Sequence, residues 1–234
     1  MSLSSVFAAQ PKPSFFLTLL ESTDASRQEF EAIPKMNSML VRGLTLPEYK
    51  AFLHDLYYVV WHFVPIMAAA VSRVPDEFPQ VRKELYERIE EEKGHELWVL
   101  EDVEAVGGRV DRVRNLLPSA PMQCMIAYNY YCAERGHPCS VLGMLYSLEV
   151  IASAYAMTLA QSIAKALDRD VDAPGFKFLL SHSAMDQEHV AKLNVLMKTI
   201  EDPAGQEAVI SATQVNFYQF GRVFHDGGFT SLIP

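Results

Sequence analysis

Along most of the chain the apolar residues recur every three or four positions, the spacing of an amphipathic helix, and no stretch shows a convincing two-residue alternation of a strand. "TLPEYKAFLHDLYYVVWHFVPIMAAAVSRVP" opens with Thr45 and Glu48 spaced as a capping box, with Pro47 in the first turn. Pro65 should kink that helix, because it removes a backbone donor and crowds the preceding turn. "FPQVRKELYERIEEEKGHELWVLEDVEAVGG" predicts a long helix running to a Gly107-Gly108 stop. A shorter helix ends at Gly136, and "CSVLGMLYSLEVIASAYAMTLAQSIAKALD" forms the next. The stretch from Ser181 to Ile200 and a last helix from Asp202-Pro203 to about His225 follow, and the first 42 residues hold one or two more. The pattern predicts an all-α bundle of about seven helices on short connectors, one domain over residues 1–234.

Three of these helices carry polar residues where the pattern asks for apolar ones. In "SHSAMDQEHVAKLNVLMKTI", His182, Asp186 and His189 fall within roughly 60° of one another on a helical wheel. The same stripe continues as Leu193, Leu196 and Ile200, so it faces a core. Between Arg135 and Lys165 the sole Asp, Glu, Lys or Arg is Glu149, in a helix apolar on nearly every face. On the long helix before it, the stripe Leu85, Ile89, Val99, Val103 and Val106 has Glu92 at its centre and His95 to one side. Glu91 competes with Glu92 for an inward role, and Glu96 also points inward without an evident use. Burying such groups costs several kcal/mol, about 2–7 for a neutral polar group, unless they are paired or bind a metal.

Composition limits the alternatives. A 50% hydrophobic chain of 234 residues can bury a substantial core, and a formal charge of −9 with no Lys/Arg cluster argues against nucleic acid. The one all-apolar helix could span a membrane by length, but a lone intramembrane Glu is expensive, so no span is expected. The N-terminus has no basic residue before Lys12, and Cys124, Cys132 and Cys139 form no CxxC pair. Those features fit a reducing cytoplasm.

Mixed imidazole and carboxylate ligation suits iron or manganese, and a pair of six-coordinate ions shared by Glu92, His95, Glu149, His182, Asp186 and His189 would leave open positions for chemistry. Zinc held by two His and one carboxylate stays open, but leaves half of the polar set unexplained. "EEKGHELWVLEDVEAVGG", "LGMLYSLEVIASAYA" and "HSAMDQEH", in that order, resemble the haem-oxygenase-like di-iron oxidase superfamily, including CADD-like proteins, over roughly residues 40 to 200. His182, Asp186 and His189 match its third-helix pattern and Glu149 its middle-helix Glu. Many members have a Glu seven residues before the first helix's His, where this chain has Arg88; others have it three residues before, where this chain has Glu92. The resemblance implies a haem-oxygenase-like helical bundle with two Fe ions (or Mn, or one of each). It also implies oxidation of a small organic acid or amine by O2, and a homodimer.

Other readings share the fold. A haem oxygenase needs an axial His early in the chain, and none precedes His54. A TenA-type thiamine-related hydrolase would use a buried Cys nucleophile, for which Cys139 lacks the surrounding motif; a PqqC-type oxidase expects more Arg and His. A non-catalytic partner-binding bundle would explain the acidic charge but not three polar intrusions. His54 and His62 read as core or pocket-lining residues, with His62 able to donate to a metal-bound carboxylate. Tyr128, Tyr130, Tyr131, Tyr146 and Tyr155 offer hydroxyls to a pocket wall, and Met144 and Met157 an adaptable apolar lining.

Overall fold

The computed structural model describes residues 14–225, apart from the side chains of Asp186 and Gln187. Among the described residues every regular element is helical: α1 (Phe15–Ser22), α2 (Asp24–Glu31), α3 (Pro34–Arg42), α4 (Leu46–Val71), α5 (Pro79–Glu92), α6 (His95–Ala105), α7 (Val110–Asn115), α8 (Ala120–Arg135), α9 (Val141–Ala166), α10 (Lys177–Met197) and α11 (Pro203–His225). Eleven helices stand where the pattern predicts about seven. The extra ones have local causes. Ile33 is held extended ahead of Pro34, which divides α2 from α3, as steric crowding before a proline requires. The long helix expected to reach Gly107 is broken after Glu92: Lys93 is extended and Gly94 takes φ +92°, a conformation that suits a residue without Cβ.

α4 begins with the capping box the sequence shows. The Thr45 N–H donates to Glu48 Oε2 at 2.9 Å, and the Glu48 N–H donates back to Thr45 Oγ1 at 3.5 Å. The helix then runs on through Pro65 to Val71. α9 is the axis of the bundle, packed against α3, α4, α8, α10 and α11. It is long and apolar enough to cross a membrane by length and composition; here neighbouring helices bury 56% of that window. Leu142 and Leu145 on α9, Leu193 on α10 and Leu85 on α5 are fully buried and pack in one cluster. The stripe that carries His182 therefore continues into leucine core, as its periodicity predicts.

Candidate metal centre

The break at Gly94 shapes the first part of the site. Glu92 is the last residue of α5 and His95 the first of α6, so the two meet across a turn and not along one helix face. His95 Nδ1 nevertheless lies 2.8 Å from Glu92 Oε2, and both side chains are buried. Glu91 is exposed and Glu96 half-buried, so of the adjacent glutamates Glu92 is the one enclosed. His182 on α10 approaches from the opposite side, its Nε2 3.6 Å from the same Glu92 oxygen. One donor atom from each of Glu92, His95 and His182 falls within 4.8 Å of the others, all three residues buried.

Ring orientations are set by neighbours. His95 stacks on Trp98 at 3.9 Å between centroids, and His182 stacks on Phe178 at the same separation. His182 Nδ1 lies 3.1 Å from the Phe178 carbonyl. A carbonyl can only accept, so Nδ1 carries the proton and Nε2 turns its second face to Glu92. Burial pushes the Glu92 carboxyl upward, but His182 and His95 outweigh it and hold the group down at about 2. Glu92 is thus anionic, and the donor set is two imidazoles and one carboxylate. That is the composition of non-haem Fe(II) sites, and it fits an iron ion.

Asp102, which sequence reasoning passed over, ties the two halves together. From α6 it accepts the N–H of Lys177 at 2.8 Å and of Phe178 at 2.9 Å, capping α10 one turn before His182. Burial raises its pKa against the lowering effect of those two N–H groups. Its signal was an acid seven residues after His95, on the side of the apolar stripe of Val99, Val103 and Val106, within an acidic run that includes Glu101 and Glu104.

Glu149 and His189 lie deeper along the cluster, both buried, with His189 Nδ1 3.9 Å from Glu149 Oε1 and His189 Nε2 3.4 Å from Glu91 Oε2. Arg88 is with them: its Nη1 is 2.8 Å from Glu149 Oε1. Asp186 belongs to α10, but its side chain is outside the described residues.

A cavity of about 120 Å³ opens beside these groups, with Glu92, Glu149 and His182 in its wall. The rest of the lining is almost wholly apolar, including Phe52, Leu56, Ile151, Leu159 and Phe224. Of the tyrosines considered from the sequence, Tyr155 lines it; Met36 does so, whereas Met144 and Met157 do not. His62 Nδ1 lies 3.0 Å from the Tyr130 hydroxyl. None of the three cysteines is in the lining, and burial first, then Asp202, pushes the Cys139 thiol up to about 12.

Residues 50–216, more than half of the chain, match the family described as iron-containing redox enzyme. No curated protein matches. Among solved structures, a domain of unknown function with a haem-oxygenase-like fold from Shewanella denitrificans superposes with a TM-score of 0.79 at 20% identity, over 92% of each chain. A TenA homologue from Pseudomonas syringae gives 0.74 at 12% identity, over 89% of this chain and 90% of the other. A CADD-like protein of unknown function from Nostoc punctiforme gives 0.64 at 18% identity, over 90% of this chain and all of the other. The fold is haem-oxygenase-like.

Proposed function

The chain belongs to the family of iron-containing redox enzymes, and from that premise we propose that it is an oxidase or oxygenase. Glu92, His95 and His182 hold ferrous iron, and a small organic acid or amine is oxidised beside it. Bound iron would supply the redox chemistry with O2 that side chains alone lack. The observation that carries this reading is the buried meeting of His182 Nε2 and His95 Nδ1 on a single oxygen of Glu92. It is an arrangement of donors with a place for a cation among them.

The remaining work falls to the chain. Glu92 brings one negative charge, which lowers the cost of holding a divalent ion in a buried place. Phe178 fixes the tautomer of His182 and so aims Nε2, and Asp102 fixes the start of the helix on which His182 rides. The apolar wall of the cavity excludes water and takes the apolar part of the substrate. Its reacting end then lies against Glu92 and His182, the polar part of the wall.

A substrate-independent test is the reaction of Fe(II)-loaded protein with O2 in a stopped-flow spectrometer. Oxidation faster than that of free Fe(II), lost in His182→Ala with helicity retained, is expected. Equal rates for free iron, wild type and variant would refute the proposal.

A further inference from the structure

Three of the six polar residues form the proposed iron site; of the others, Glu149 and His189 lie beside a buried cation. Arg88, one turn before Glu92 on α5, has a side chain with no exposure to solvent. Its Nη1 is 2.8 Å from Glu149 Oε1, its Nη2 2.8 Å from Glu84 Oε1 and its Nε 3.8 Å from Glu91 Oε2. His189 faces the same Glu149 oxygen at 3.9 Å. A second metal ion held by Glu149 and His189 would have to share that carboxylate with a guanidinium.

Two properties of arginine make this sharing unfavourable. A guanidinium does not lose its proton in a protein, so it cannot yield its charge to an incoming ion as an imidazole or a lysine can. Nor can Arg88 swing out to water, since its side chain is enclosed throughout its length. The Glu92, His95 and His182 set contains no such built-in cation, and two imidazoles with one carboxylate is the set a single non-haem Fe(II) takes.

We infer that the Arg88 guanidinium stands permanently in the cation position beside Glu149, so that the chain binds one iron, at Glu92, His95 and His182, and not a pair. The inference rests on the iron-site reading above. It makes Glu149 a member of an ion-pair network and a wall of the cavity, not a metal ligand.

Anaerobic equilibrium dialysis against Fe(II), with Mössbauer spectra to tell isolated from coupled ions, tests it on the full chain. Wild type should take up about one iron per chain, as an isolated ion, given that donor set. Glu149→Gln keeps the shape and an acceptor for Arg88, and should still take up about one. Arg88→Glu, which replaces the cation by a further oxygen ligand, should gain a second. About two irons in wild type, loss of iron in Glu149→Gln, or a folded Arg88→Glu that stays at one would each overturn the inference while leaving the iron reading intact. No uptake by wild type would overturn both.

Discussion

Glu92 and Glu149 are both buried carboxylates in the wall of one cavity, yet they are met by different chemistry. Two imidazoles converge on Glu92, and a guanidinium joins Glu149. An imidazole can give up a proton and accept a metal ion in its place, which is what the proposed iron site asks of the Glu92 cluster. A guanidinium cannot, so the Glu149 cluster is a fixed charge pair. Equal burial of two acids therefore says little about whether either binds metal. What decides is whether the positive charge opposite can leave.

The largest effect should come from removing that fixed charge. Arg88→Ala leaves Glu84 and Glu149 facing each other without their cation, a change expected to cost roughly 3–5 kcal/mol in urea unfolding. Burial opposes the charge on Arg88, but Glu149 and Glu84 more than compensate and raise its pKa above the usual arginine value, which fits a permanent cation. Glu92→Gln in metal-free protein keeps an acceptor for His95 and should cost clearly less. Equal losses in the two variants would erase the distinction between the clusters.

A smaller effect is expected from Asp102→Ala, which strips two N–H groups at the start of α10 of their acceptor. The cost should be about 1–3 kcal/mol. Fe(II) affinity should fall with it, because the capped turn carries Phe178 and positions His182. An unchanged iron affinity at reduced stability would show that Asp102 supports the fold without tuning the site.

Much of this was legible in the sequence, and the illegible parts have physical reasons. His182 and His189 announce themselves by interrupting a stripe that Leu193, Leu196 and Ile200 continue, and Glu149 by its isolation in an apolar helix. Local periodicity suffices for such readings. The helix break between Glu92 and His95 was not legible, because a single glycine inside a helical pattern is tolerated at about 1 kcal/mol, and nothing in the pattern shows that it takes φ +92°. Nor could periodicity reveal that Arg88 answers Glu149, a residue on another helix and far along the chain. The sequence showed Arg88 as a departure from a pattern; its partners give the departure a meaning. Asp102 stood on the side of an apolar stripe, but among neighbouring glutamates, and its acceptor role belongs to backbone groups of α10, which carry no sequence signature.

The most direct test of the account is Fe K-edge X-ray absorption of the anaerobically Fe(II)-loaded protein, wild type beside His182→Ala. Two imidazole ligands on the iron in wild type, falling to one in the variant, are the predicted result. Iron with no imidazole ligands, or a spectrum that the substitution leaves unchanged, would contradict the claim that His95 and His182 meet at Glu92 to hold it.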